Sequence, residues 1–231
     1  MEIQIWSDVV CPWCYLGKRR FENALAGFEH RDQVHVVHRA FQLDPTAPKD
    51  KTFDQADLIS KKYGLPIEQF KASQAELARL GEIEGLEYNF EGGRSGNTFD
   101  AHRLIRLGLE RGLQDVVIER FFRAHFTEQR SLFEAESLVA LAVEAGLDAD
   151  EARSVLTEQK YTRQIEDDVR QAQAFGANGV PFFVIDERYG ISGAQPTQSF
   201  IGAIDRAWAD QVKDLAGDRA EDHPEAGSDT R

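Results

Sequence analysis

Cys11 and Cys14 are the only cysteines among the 231 residues, and they stand three apart in Cys11-Pro12-Trp13-Cys14. A Cys-x-x-Cys pair can be half of a zinc site or can cycle between dithiol and disulfide, and its surroundings decide which. Pro12 suits the first position of a helix, so Cys11 falls at the helix start, where free amides and the positive end of the dipole favour a thiolate. Cys14 heads a stripe at helical spacing with Gly17, Phe21, Ala24, Leu25 and Phe28, which places it on a packed face. The expected division of labour is attack by Cys11, exposed on the helix tip, and resolution by the less accessible Cys14. A structural zinc needs four ligands. There is no second Cys-x-x-Cys, and the histidines at 30, 35, 38, 102, 125 and 223 form no His-x-x-x-His array, so no metal site is expected.

These residues need a sheet to hold them. Residues 2–6 alternate polar and apolar as a half-buried strand does, and residues 34–41 are β-branched between Arg31-Asp32 and Asp44-Pro45. A helix between two such strands makes a right-handed crossover with parallel strands. From about 53 to 159 the periods are helical, with helices expected at 67–85, 98–110, 113–128, 134–145 and 150–159 and no strand among them. Gly64-Leu65-Pro66 reads as a stop and restart. Apolar faces at Ala101, Leu104, Ile105 and Gly108, and at Leu113, Val116, Val117, Phe121 and Ala124, would pack into a helical subdomain. After a helix at 161–175, Phe182-Phe183-Val184-Ile185 returns to strand, and Tyr189-Gly190-Ile191 can pair with it across Asp186-Glu187-Arg188. A last helix from about Thr197 carries Ile201, Ile204, Trp208 and Val212 toward the sheet. The organisation expected is an α/β domain from 1–45 and 160–215, a helical insertion at 46–159, and a disordered tail at 216–231.

Composition narrows the function. The 27 basic against 40 acidic side chains, net −13, lack the basic footprint of nucleic-acid or anionic-membrane binding, so neither partner is expected. No apolar run approaches the ~20 residues of a membrane-spanning helix. A charged strand directly after Met1 is unlike a signal peptide, and two local cysteines are too few for a secreted disulfide scaffold, so a cytoplasmic protein is expected.

A second constellation is Gly179-Val180-Pro181-Phe182, a proline at the first residue of the returning strand, where it forfeits no ladder bond. Spacing leaves its isomer open. Together with Cys11-Pro12-Trp13-Cys14 after a first strand and a long helical insertion, it resembles the thioredoxin-fold DsbA-like thiol-disulfide oxidoreductases. Ser7-Asp8-Val9-Val10 before the motif, Asn97-Thr98-Phe99-Asp100-Ala101-His102 and Gly193-Ala194-Gln195-Pro196 resemble the FrnE branch, over residues 2 to about 213.

The resemblance implies an α/β thioredoxin-like fold, Cys11 as nucleophile, Cys14 as resolving thiol and Pro181 as a cis-proline beside the disulfide. It also implies that the Val180 backbone pairs with an extended substrate segment, a mode tolerant of substrate sequence. No metal or organic cofactor is implied, because the sulfurs carry the reducing equivalents, although glutathione can serve as a co-substrate. Partners implied are protein thiols and disulfides or small thiols, reset by thioredoxin or glutathione. The oligomeric state stays open, a dimer included. The alternative enzyme is a glutathione-dependent transferase or isomerase acting on a small hydrophobic substrate, like the related kappa-class glutathione transferases and 2-hydroxychromene-2-carboxylate isomerases, which have serine at the nucleophile's position and against which the dithiol argues. A redox-switched binding protein is a third class, for which no exposed apolar run speaks.

Other residues carry two readings. Trp13 either packs beside a substrate or shields the sulfurs. His102 either faces the cleft or lines a helix. Gln195 either bonds backbone near Pro181 or is an ordinary turn residue. Asp8 and Lys18, close to Cys11 in sequence, are read as solvated surface charges.

Overall fold

The computed structural model describes residues 1–64 and 66–221. The chain begins with β1 (Glu2–Ser7), α1 (Pro12–Ala26), β2 (His35–Ala40), β3 (Phe53–Asp54), α2 (Gln55–Tyr63), α3 (Ile67–Ile83) and β4 (Arg94–Ser95). It continues through α4 (Phe99–Glu110), α5 (Gln114–Phe126), α6 (Ala135–Glu144), α7 (Ala149–Thr157) and α8 (Thr162–Ala174). It closes with β5 (Phe182–Ile185), β6 (Tyr189–Ser192) and α9 (Thr197–Glu221).

Four strands form one mixed sheet in the order β2-β1-β5-β6. β1 and β2 run parallel from Glu2↔His35 to Ser7↔Ala40, as the crossover through α1 requires. β5 lies antiparallel to β1, and β6 returns antiparallel to β5. Strand alternation sorts the side chains into two layers. Ile3 and Ile5 of β1 with Phe183 and Ile185 of β5 pack under Phe21 and Ala24 of α1 and Phe200, Ile204 and Ala207 of α9. Trp6, Phe182 and Val184 face the other way, onto Ala172 of α8 and Ala177. There the Trp6 indole N–H donates to the Asp168 carbonyl at 2.8 Å, so its polar atom is satisfied inside the core.

α4 to α7 pack around their own apolar core of Leu104, Val117, Phe121, Leu138 and Val155, and this core continues into Val9, Cys11, Cys14, Tyr15 and Leu16. The helical insertion therefore covers the face of α1 turned away from the sheet. It also closes one sheet edge. The Gln114 side chain accepts the His38 N–H at 2.9 Å and donates to the His38 carbonyl at 2.8 Å, doing for the outer strand β2 what a neighbouring strand would do.

Some expectations are corrected. The two-residue pair β3-β4 (Phe53↔Ser95, Asp54↔Arg94) lies where no strand was expected, being too short to leave a period-two signature. Val116 and Val212 are exposed, because the buried stripes of their helices run through Val117, Phe121 and Ala124 and through Phe200, Ile204 and Ala207. α9 continues to Glu221, past the boundary expected at 215. Residues 222–231 of the expected tail, and Leu65 of the expected stop, lie outside the described residues. Among the described residues no helix is long and apolar enough to cross a membrane.

Two histidines buried in the insertion and at its border make stability depend on pH. Burial among Phe126 and Phe133 lowers the His125 imidazole from 6.5 to about 4, and burial also lowers His38 beside Asp115. The unfolded chain takes up these protons near pH 6.5 and the native state does not. Stability is therefore full above that pH and falls as pH drops toward 4, by about 2–3 kcal/mol for His125. Urea midpoints at pH 7 and pH 4.5 should show the loss. His125→Gln, neutral throughout, should flatten the profile, and an unchanged profile would dissociate it from His125.

Candidate active site

β1 ends at Ser7, and the turn through Asp8, Val9 and Val10 is closed by the Cys11 N–H donating to the Asp8 carbonyl at 3.0 Å. Cys11 is the extended residue before α1 (φ −92°, ψ 109°) and Pro12 takes the first helical position. The Cys11 carbonyl accepts the Cys14 N–H at 3.0 Å, so both cysteines are fixed by the same first turn. Both are free thiols in this structure.

Cys14 is 1% exposed, and its thiol is pushed well above its ordinary range by burial first and then by hydrogen bonding and charge at Cys11. Cys11 is 4% exposed, which corrects the expectation of an exposed helix tip. It belongs to the insertion's core, and its Sγ donates to the Val180 carbonyl at 3.6 Å. Trp13 between them stands 44% exposed.

The opposite wall is Val180-Pro181, joined by a cis peptide bond. The Pro181 carbonyl accepts the Gly193 N–H at 2.8 Å, which ties this wall to the turn after β6. Gly17 of α1 permits the approach, since a Cβ there would lie 2.8 Å from Pro181 Cγ. Arg20, one turn on, donates to the Ala194 carbonyl at 2.8 Å and to Glu84 after α3 at 2.9 Å, joining α1, the wall and the insertion. From the same side of the insertion Tyr88 donates its hydroxyl hydrogen to the Pro12 carbonyl at 2.7 Å.

Several expected residues sit elsewhere. His102 does not face the cleft. It is buried behind the motif, its Nε2 3.4 Å from Oδ1 of an equally buried Asp8. Asp8 is therefore no surface charge, and its Oδ2 accepts the Leu43 N–H at 2.8 Å. Lys18 is buried too, at 3% exposure; it pairs with Glu22 of its own helix and bridges α1 to α5 through Asp115 (3.0 Å) and Glu119 (2.9 Å). Gln195 is exposed and donates to the Ser192 carbonyl at 2.8 Å, not to backbone at Pro181, so it is a turn residue. Sequence reasoning missed Arg20 and Tyr88 altogether. Gly17 was visible as a small residue on a packed stripe, but what it makes room for was not.

The arrangement supports thiol chemistry at one sulfur with a second sulfur buried one turn behind. Residues 2–205 match the DSBA-like thioredoxin domain family. The structure superposes on the probable DsbA oxidoreductase of Streptomyces coelicolor with a TM-score of 0.88 at 47% identity, covering 90% of each chain. An uncharacterized protein of Bacillus subtilis (strain 168), YwbO, is 29% identical over 210 residues, 88% of this chain and 96% of that one. The cytosolic disulfide reductase DsbM of Pseudomonas aeruginosa, solved with GSH, has a TM-score of 0.62 over 94% of this chain and 100% of its own, and at 18% identity shares the fold.

Proposed function

The chain belongs to the DSBA-like thioredoxin domain family of disulfide oxidoreductases, and on that premise we propose that it is a cytoplasmic dithiol-disulfide exchange enzyme acting on protein or small-molecule disulfides. The observation that carries this reading is the placement of Cys11 Sγ 3.6 Å from the Val180 carbonyl with Cys14 buried one turn behind it. The Cys11 thiolate attacks a substrate disulfide, forming a mixed disulfide and releasing the first substrate thiolate. Cys14, deprotonated, then attacks the Cys11 sulfur, releasing the second thiolate and leaving the Cys11–Cys14 disulfide. Two electrons have passed to the substrate, and reduced thioredoxin or two molecules of glutathione restore the dithiol.

Cys11 is recessed, so it meets a disulfide carried on a thin, extended segment or a small thiol more readily than one on a folded surface. Among the described residues the Val180 N–H has no partner and is available for strand-like pairing with such a segment. Trp13, between the two cysteines in the chain, is exposed and free to meet its side chains. Of the relatives, the Pseudomonas reductase is cytosolic and was solved with glutathione, and that compartment and co-substrate are proposed here too.

The test is insulin reduction by wild type and Cys11→Ser. Rates differing by about 100-fold or more are expected from loss of the nucleophile, and a wild type no faster than the variant would overturn the reading. Equilibration of the pair with glutathione then sets the direction. A potential far below the cytosolic poise assigns a reductase, a much higher one an oxidase or isomerase.

A further inference from the structure

Tyr88 lies in the connection between α3 and β4, seventy-four residues beyond Cys14 in the chain, yet its hydroxyl reaches the motif itself, donating to the Pro12 carbonyl at 2.7 Å. Packing fixes where that hydroxyl sits. The ring is stacked on Phe90 at 5.1 Å and meets Tyr15 and Phe126 edge-on at 5.8 and 5.5 Å. Its far side rests on Gly81, where a Cβ would come within 2.4 Å of the ring. Burial, with charge at Tyr15, Cys11 and Cys14, raises the phenol well above its ordinary range, so it remains a hydrogen-bond donor.

The Pro12 carbonyl and the Trp13 N–H are the two ends of one peptide unit. A hydrogen bond accepted by the carbonyl polarises the amide and makes its N–H a stronger donor. Pro12 contributes no N–H, so Trp13 carries the first donor of α1, one of those without an intrahelical carbonyl. Cys11 is the residue before the helix, and a side chain there accepts from the second or third helical N–H, which here belong to Trp13 and Cys14. In the dithiol structure the Cys11 thiol donates instead to Val180. The Cys14 N–H is held by the Cys11 carbonyl at 3.0 Å, so once ionised the sulfur becomes an acceptor for the Trp13 amide.

We propose that Tyr88 is a positioning residue for the redox pair: it holds and polarises the Pro12–Trp13 peptide so that the amide stabilises negative charge on the Cys11 sulfur, which favours the reduced form. This rests on the reading of Cys11 and Cys14 as an exchanging pair. The equilibrium concerned is balanced. The dithiol and one oxidised glutathione give the Cys11–Cys14 disulfide and two reduced glutathione, two protons and two electrons moving from protein to glutathione.

Tyr88→Phe keeps the ring on Gly81, Phe90 and Phe126 and removes the hydroxyl alone. Wild type and variant are equilibrated in glutathione buffers at pH 7, the oxidised fraction is counted by thiol alkylation and mass, and urea midpoints are measured on both. The variant's equilibrium constant should move about twofold to fivefold toward the disulfide, the worth of polarising one charge-assisted hydrogen bond. An unchanged constant with a lowered urea midpoint would leave Tyr88 a structural role only and overturn the proposal, as would a shift toward the dithiol. If wild type itself forms no Cys11–Cys14 disulfide in these buffers, it is the reading of the pair that fails, an outcome separate from either result with the variant.

Discussion

Cys14→Ser should convert a turnover catalyst into a protein that stops at one covalent adduct per chain. Cys14 is buried directly behind Cys11, and its thiol is held protonated by burial and then by its hydrogen bond with Cys11 and the charge there. In the mixed disulfide the Cys11 sulfur has neither a hydrogen bond to share nor a charge, so both of those contributions disappear. The resolving thiol therefore becomes easier to ionise at the step that needs it. With serine in its place the mixed disulfide can be released only by an external thiol, and the advantage of a nucleophile already held on the same helical turn is lost. Intact-mass spectra should show a one-to-one adduct with the substrate thiol, and turnover should fall by about 100-fold or more. Wild-type turnover without an adduct would remove Cys14 from the mechanism.

The second large effect is expected at a residue with no reactive group. A Cβ at position 17 would lie 2.8 Å from Pro181 Cγ and 3.4 Å from Ala194 Cα, and both belong to stiff backbone-bound atoms that cannot swing aside. Gly17→Ala must therefore push α1 and the Val180-Pro181 wall apart, at a cost of about 1–3 kcal/mol for overpacking. That movement opens the contact between Cys11 Sγ and the Val180 carbonyl, so exchange should slow by about tenfold or more, in proportion to misplacement of reacting groups. Gly27 is the control, because a Cβ there meets nothing closer than 3.7 Å and its backbone is already right-handed (φ −86°). Gly27→Ala should leave both midpoint and rate within error of wild type. Equal effects of the two substitutions would show that general helix perturbation, and not the approach to Pro181, is responsible.

Both expectations depend on how α1 is enclosed, and this is where sequence and structure part. Along α1 the helical period correctly placed Cys14, Gly17, Phe21 and Ala24 at buried positions, Phe21 and Ala24 against the sheet and Cys14 in the insertion's core. It did not place Tyr15, Leu16 and Lys18, which are buried as well. They face the insertion, whose residues come from a hundred positions away, and no local pattern encodes a partner at that distance. The same cause explains Asp8 and His102. Each reads as an ordinary polar residue in its own segment, and only the docking of α4 behind β1 brings the two to 3.4 Å in the interior.

What the amino-acid order determined by itself is the pair of candidate thiols and the frame that presents it. Two cysteines three apart, a proline at the helix start, strand-like stretches on either side and a helical run between them were enough for a strand-helix-strand frame with Cys11 and Cys14 at the end of its first strand. These are properties of residue type and short spacing, which backbone sterics translate directly into local structure. Tertiary structure decided how accessible the pair is and what surrounds it. Closure of the insertion over α1 buried Cys11 as well as Cys14, turned Lys18 into an interior bridge to α5, set Tyr88 on the Pro12 carbonyl and left Gln195 on the surface. Burial and hydrogen-bond partnership are sums over both surfaces that meet, and one stretch of chain carries only one of them.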